Sequence, residues 1–95
     1  MESNHLVAAY VLIKGRVQGV GYRFFAQDTA VSRGLKGWVR NTSGGDVESE
    51  VEGKKGDIEN WLNELRKGPP MALVHDVQVN WKPPVSQFSE FTIRG

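Results

Sequence analysis

The residues most able to do chemistry form a glycine-rich run at positions 15–23, with the sequence GRVQGVGYR. Glycine lets the backbone take φ angles that other residues rarely adopt, and it leaves the neighbouring N–H groups uncovered. Such a loop can fold into a concave nest of amides that binds an anion. A helix is predicted to follow, and its N-terminus adds unpaired donors and a partial positive charge. The run therefore predicts a site for a small phosphorylated ligand.

Arg23 lies in the first turn of this predicted helix, where a cation opposes the helix dipole. A locally unfavourable residue suggests a function, because sequences break local rules most often at sites. Its guanidinium is a planar, permanently charged fork that suits two oxygens of a phosphate. The alternative is a solvated surface charge, which is how we interpret the nearby Lys14 and Arg16.

The loop alone is not specific, because a strand-to-helix turn often needs glycine only for its geometry. It lacks the lysine and the Ser/Thr ending of a nucleotide P-loop. Its glycine spacing does not match a dinucleotide fingerprint either. We expect it to hold one phosphoryl group rather than a whole nucleotide.

Hydrophobic periodicity predicts the elements that must position this loop. Strands are predicted at 7–13, 35–41, 46–52 and 74–81, with a short last strand around Phe91 and Ile93. Helices are predicted at 22–33 and from an Asp57 cap to the stop at 68–70. The order β-α-β-β-α-β plus a short C-terminal strand predicts an α+β, two-layer ferredoxin-like sandwich. Both helices would lie on one face of an antiparallel or mixed sheet.

Asn41 ends the second predicted strand, immediately before a turn. An asparagine that begins a turn is common, so a purely structural role is one interpretation. Topology favours a functional role, because a crossover helix makes the first two strands parallel and places Gly15 and Asn41 at the same end of the sheet. The Asn41 carboxamide can accept from a water and donate to a phosphate oxygen. Thr42 can support that geometry through its hydroxyl.

Length, composition and charge narrow the class of protein. Ninety-five residues predict a single domain over 1–95, with a frayed polar end at 1–5. The absence of cysteine excludes a disulfide scaffold and thiolate chemistry. The longest apolar run, 7–13, is too short for a membrane span and lacks signal-peptide flanks, so we expect no membrane partner and a cytoplasmic location. A net charge of +1 argues against a broad nucleic-acid surface.

Two long motifs carry a resemblance to a known family. Residues 15–23 resemble the first signature of the acylphosphatases, and Gly37-Trp38-Val39-Arg40-Asn41 is similar to the second. Gly45, Val47 and Gly53 match the positions that follow the second signature. The resemblance continues through 61–62 and 68–69 to 91–93, and so covers essentially the whole chain. It implies a small, free-standing acylphosphatase that needs neither a metal nor a phosphoenzyme.

The predicted reaction is hydrolysis of an acyl phosphate to a carboxylate and inorganic phosphate. A water oriented by Asn41 attacks in line, and Arg23 and the loop backbone hold the phosphoryl group. The predicted binding residues are Val17, Gln18, Gly19, Val20, Gly21, Tyr22 and Arg23. Arg23 and Asn41 are the predicted catalytic residues, with Gly15 and Thr42 in supporting roles. Little general-acid help is needed, because a carboxylate is a stable leaving group near neutral pH.

The expected partners are a small acyl phosphate and, in the loop, inorganic phosphate or a similar anion. No cofactor, metal or nucleic acid is expected, and we expect a monomer. His5 and His75 lack metal-ligand spacing. Trp38, Trp61 and Trp81 are interpreted as core or half-buried residues, and Glu48, Glu50 and Glu52 as an acidic outer stripe. A phosphate sensor without catalysis stays open, and so does a weaker alternative, an RNA-binding sheet.

Overall fold

The computed structural model describes residues 5–95, which form one sheet and two helices. The elements in chain order are β1 (Leu6–Arg16), α1 (Tyr22–Ser32), β2 (Lys36–Asn41), β3 (Val47–Lys54), α2 (Lys55–Lys67), β4 (Leu73–Lys82) and β5 (Phe91–Ile93). This order confirms the predicted ferredoxin-like arrangement with its short last strand. The predicted frayed end lies outside the described residues except for His5, whose carbonyl accepts from the Lys55 amide at 2.8 Å.

The sheet has five strands in the order β4-β1-β3-β2-β5. Every neighbouring pair is antiparallel except β2 with β5, so the sheet is mixed. β1 and β2 both pair antiparallel with β3, which lies between them, and they therefore run parallel to each other. Val47 of β3 is in register with Ile13 on one side and with Asn41 on the other. Asn41 consequently lies at the end of the sheet where β1 gives way to the glycine loop.

Both helices pack on one face of this sheet. Alternate strand residues such as Val11, Val39 and Val51 are fully buried against them. Trp61 of α2 is also fully buried, and its indole N–H donates to the Ala26 carbonyl of α1 at 3.1 Å. Burial of each such large apolar side chain stabilises the fold by about 1.5–3 kcal/mol. This core gives the glycine loop a rigid base.

Two sequence-based expectations are corrected by the structure. Asp57 does not cap α2, because the helix begins at Lys55 and the residue before it, Lys54, is extended with no side-chain cap. Trp81 is 40% exposed on the edge strand β4, with the Lys55 ammonium 5.5 Å from its ring. Trp38 is buried, as expected, and the guanidinium carbons of Arg40 and Arg94 lie 5.0 and 4.6 Å from its ring centroid.

The glutamates of β3 are not a free acidic stripe. Glu48 accepts from the Tyr10 hydroxyl and from the Arg40 guanidinium, and Glu50 pairs with Lys82 at 2.7 Å. These contacts hold the pKa of Glu48 below its usual value, first through the Tyr10 hydrogen bond, and the same bond raises the pKa of Tyr10 to about 12. Glu52 is buried and accepts from backbone amides near residue 85. The three glutamates of β3 are therefore paired rather than free.

Candidate active site

The loop that follows β1 is shorter than the motif, because β1 continues through Arg16 and leaves residues 17–21 to reach α1. Gly19 and Gly21 have φ angles of 74° and 77°, in the left-handed region. A side chain at either position would meet nothing within 4 Å. Glycine is thus needed there for backbone conformation, and the space above the loop is open.

Gly15 has a different role from the loop glycines. It lies inside β1 at a bulge, and a Cβ there would come within 2.1 Å of the Leu73 carbonyl oxygen. Only glycine lets β4 approach β1 this closely. The structure thus gives Gly15 a packing role just before the loop, and its supporting role in the site stays a prediction.

Side chains from the loop and from the start of α1 fix it to the core. Val17 and Tyr22 are buried, and Val20 packs against the core. The Tyr22 hydroxyl donates to the Leu65 carbonyl at 2.7 Å, and burial raises the pKa of this phenol. The side chains of these residues are committed to the interior, so their contribution to a site is the backbone N–H.

The backbone amides from residue 18 to residue 24 have no hydrogen-bond acceptor in the described part of the chain. Within residues 5–95, the N–H groups of residues 18–24 donate to no backbone or side-chain acceptor, and the first bond of the helix runs from the Phe25 amide to the Gly21 carbonyl at 3.1 Å. α1 also has no side-chain cap and no acidic residue in its first turn. Unpaired donors together with the positive end of a helix dipole form a site suited to an anion.

Arg23 lies beside these amides and reaches toward the end of the chain. Its Nη1 donates to the Arg94 carbonyl at 3.4 Å, and the Arg94 amide in turn donates to the Val39 carbonyl of β2 at 2.8 Å. The guanidinium is partly exposed and has no carboxylate partner among the described residues. A cation placed in this way is available to a ligand anion.

Asn41 carries the most unusual polar atom in the described part of the chain. Its Oδ1 is buried and has no hydrogen-bond partner there, and it is the single buried side-chain polar atom in residues 5–95 of which this is true. An unpaired buried amide oxygen costs about 1–3 kcal/mol. Such an atom calls for an explanation, and a role toward a ligand or a reacting water is one.

Thr42 closes the turn that follows Asn41. Its Oγ1 accepts from the Asp46 amide at 3.1 Å, and its own amide donates to the Asp46 carbonyl at 2.9 Å. The Thr42 hydroxyl is therefore engaged in the turn. These bonds stabilise the turn, and the supporting role of Thr42 in the site stays a prediction.

The Gln18 side chain is the feature that sequence reasoning missed. Its Nε2 donates to the carbonyls of Thr42 and Asp46, each at 2.8 Å, and so joins the glycine loop to the turn after Asn41. The sequence suggested only that the backbone N–H of Gln18 would bind the phosphoryl group. No local signal reveals these bonds, since both acceptors are backbone atoms more than twenty residues away.

The remaining residues around the loop are surface charges. Lys14 pairs with Asp46 at 3.3 Å, and Arg16 is exposed.

No group of three or more His, Asp or Glu side chains within residues 5–95 is placed to hold a metal ion. Neither α1 nor α2 is long and apolar enough to cross a membrane. A cavity of about 550 Å³ lies at the opposite end of the sheet, lined in part by Leu6, Lys36 and Lys54, and includes none of the predicted site residues.

Comparison with known sequences gives a consistent family. Residues 9–93 match the family model Acylphosphatase. A curated acylphosphatase of Bacillus pumilus is 44% identical over 90 residues, which cover 95% of this chain and 100% of that protein.

Solved structures agree with the sequence match. An acylphosphatase from Bacillus subtilis superposes with a TM-score of 0.91 at 32% identity, covering 94% of this chain and 99% of that one. An acylphosphatase from Coxiella burnetii superposes with a TM-score of 0.87 at 35% identity, covering 94% and 93%. These relatives, which have a similar length and the same fold as this chain, are acylphosphatases.

Proposed function

This chain belongs to the acylphosphatase family, and we propose that it hydrolyses the carboxyl–phosphate bond of acyl phosphates at the glycine loop and Asn41. The observation that carries the proposal is the buried, unpartnered Oδ1 of Asn41 on a strand end that Gln18 joins to the loop. A phosphate sensor needs the loop amides and Arg23 but has no use for such an oxygen. A hydrolase needs it to orient water.

In the proposed complex, the N–H groups of the loop and of the first turn of α1 surround the phosphoryl oxygens. Arg23 lies in that first turn and binds two of these oxygens with its guanidinium fork. The donors are fixed before the substrate arrives, because Val17 and Tyr22 anchor the segment in the core. Preorganised donors of this kind stabilise charge as it develops in the transition state.

The chemical step is an in-line displacement at phosphorus. Asn41 Oδ1 accepts a hydrogen bond from a water and holds its oxygen opposite the leaving group. The water oxygen forms a bond to phosphorus while the bond from phosphorus to the carboxyl oxygen breaks, and the carboxylate leaves with the electron pair. The water proton passes to a phosphate oxygen or to solvent. A carboxylate needs little protonation to leave near neutral pH, so the mechanism uses no general acid.

Arg23 and the positive end of α1 supply the charge that neutralises the phosphoryl oxygens in this scheme, so the proposal uses neither a metal ion nor a cofactor. It also uses no second copy of the chain, and we expect a monomer that acts on free acyl phosphates in the cytoplasm. A sedimentation measurement at working concentration checks the monomer.

Release of inorganic phosphate from benzoyl phosphate in excess EDTA tests the function. The wild-type protein is expected to turn over many equivalents, and Asn41→Ala is expected to lose nearly all of this activity while still folded. Folded wild-type protein that binds phosphate but releases none from benzoyl phosphate would favour the sensor. Activity that EDTA abolishes and that a divalent metal restores would overturn the metal-free mechanism.

A further inference from the structure

We infer that the Gln18 side chain is a positioning residue, which sets the distance between the anion-binding loop and Asn41. This inference rests on the proposed function and adds a role to it. Gln18 lies in the loop, and its partners lie in the turn that immediately follows Asn41. It therefore links the part of the site that holds phosphate to the part that holds water.

The hydrogen-bond geometry fixes how the amide is oriented. Both atoms near Nε2 are backbone carbonyl oxygens, of Thr42 and Asp46, at 2.8 Å each. Carbonyl oxygens only accept, so the NH₂ group must face them, and its two hydrogens serve one carbonyl each. A side chain held at two points has little freedom to let the loop and the turn move apart.

The turn does not need Gln18 in order to form. Thr42 and Asp46 already close it through the Thr42 amide, the Asp46 amide and the Thr42 hydroxyl. Both carbonyls that Gln18 reaches also accept a bond from within the turn, the Thr42 oxygen from the Gly45 amide at 3.3 Å. The Gln18 bonds are thus additional to the turn, and what they add is the link to the loop.

Asn41 depends on this link because no group within residues 5–95 holds its side-chain oxygen. Its Oδ1 has no partner among the described residues, so the position of the carboxamide follows from the backbone of Asn41 and Thr42. A displacement of about 1 Å in a reacting group can lower a rate by about a hundredfold. If the bonds from Gln18 to the turn were lost, Asn41 would place the water less accurately, while the loop amides would still bind phosphate.

The experiment compares Gln18→Met with Gln27→Met. Methionine keeps roughly the length of glutamine and removes its donors. Gln27 is a matched control, since it too is a glutamine whose Nε2 donates to a backbone carbonyl. Its acceptor is the Phe91 carbonyl, at 3.1 Å, which lies away from the turn after Asn41. We expect Gln18→Met to lower kcat for benzoyl phosphate by about 10- to 100-fold. The inhibition constant of inorganic phosphate should stay within about twofold, and Gln27→Met should change neither value by more than that.

Two kinetic results for the single variant Gln18→Met would overturn the inference. One is a kcat for Gln18→Met within about twofold of wild type. The other is an inhibition constant that weakens by the same factor as kcat falls, which would place the effect in the loop itself. In an Asn41→Ala background, Gln18→Met should cause no further loss, because its effect passes through Asn41. Losses that multiply would contradict this route.

A readout without turnover separates this inference from the proposed function. The side-chain NH₂ resonances of Asn41 in a ¹⁵N-correlated spectrum should move in Gln18→Met and stay in place in Gln27→Met. Unmoved resonances in Gln18→Met would overturn the positioning role. Absence of hydrolysis by the wild type would refute the proposed function alone, and the spectra would still decide the role of Gln18.

Discussion

The two helices of this protein begin in contrasting ways. α1 starts after left-handed Gly21, has no acidic residue in its first turn and no basic residue in its last. α2 carries Asp57 beside Lys55 in its first turn and Arg66 and Lys67 in its last, so it has the acidic residue at its start and the basic residues at its end that α1 lacks. Neither helix has a side-chain cap.

The two helix starts therefore differ in whether they carry an acidic residue of their own. The first turn of α2 contains the carboxylate of Asp57. The start of α1 has a cation, Arg23, and a loop of amides that have no hydrogen-bond acceptor among residues 5–95. A helix start of this second kind is less stable by itself and is completed by an external anion. If the start of α1 is reserved for a phosphoryl group and that of α2 is not, substitutions at the two helix starts should differ in their effects on activity and on phosphate binding.

Substitution of Arg23 should give the largest loss of activity. Arg23→Ala is expected to lower kcat/KM for an acyl phosphate by about 10²–10³, because a preorganised charged donor at the phosphoryl group is lost. Arg23→Lys should also lose most of the activity, since an ammonium cannot bind two oxygens as a fork does. Steady-state phosphate release measures both. Arg16→Ala is the control, because Arg16 is an exposed cation nearby, and a loss there as large as for Arg23→Ala would contradict the account.

Asn41 separates catalysis from stability at the same end of the sheet. Asn41→Ala is expected to lower kcat by about a hundredfold. Its free energy of unfolding should be unchanged or higher by about 1 kcal/mol, because the buried Oδ1 that it removes has no partner. Urea unfolding together with phosphate release checks this. A loss of more than about 2 kcal/mol in folding stability would mean that Asn41 is mainly structural.

A substitution at Phe24 can place a carboxylate in the first turn of α1, which has no acidic residue there. The Phe24 side chain is 69% exposed in the first turn. Phe24→Glu should raise the free energy of unfolding by about 0.5 kcal/mol through the helix dipole, and it should weaken phosphate inhibition by about two- to fivefold. Phe24→Gln is the neutral control for loss of the ring. Equal phosphate inhibition constants for the Glu and Gln variants would argue that the start of α1 does not bind the anion.

Asp57 should give the smallest effect and only on stability. Asp57→Asn removes the acidic charge at the start of α2, which should lower the free energy of unfolding by about 0.5 kcal/mol at low salt. Activity should stay within about twofold of wild type, because α2 begins at the opposite end of the sheet. Unfolding curves at two salt concentrations test the electrostatic origin. A marked change in phosphate affinity would break the contrast between the helices.

Local patterns were sufficient to predict most of the fold. Apolar alternation and helical spacing predicted every element, and the crossover correctly predicted parallel β1 and β2. The start of α2 was missed because Asp57 is a good cap by type, whereas the β3 ladder continues to Lys54 and the helix follows at once. The paired glutamates of β3 were missed because their partners, such as Tyr10 and Lys82, come from distant strands.

The site was partly visible in the sequence. Glycine spacing and the unfavourable position of Arg23 indicated an anion site, and topology brought Asn41 to it. Two facts depend on the folded chain, namely that Asn41 Oδ1 is buried without a partner and that Gln18 reaches the turn beyond it. Neither fact has a local signature, since burial and long-range hydrogen bonds arise only from packing.

Titration of ¹⁵N-labelled wild-type protein with inorganic phosphate tests most directly whether the start of α1 is reserved for a phosphoryl group. The account predicts saturable shifts in the amides of residues 18–24 and in the Asn41 side-chain NH₂, with the amides at the start of α2 unmoved. Saturable shifts centred on residues 55–57, or none in the glycine loop, would contradict it.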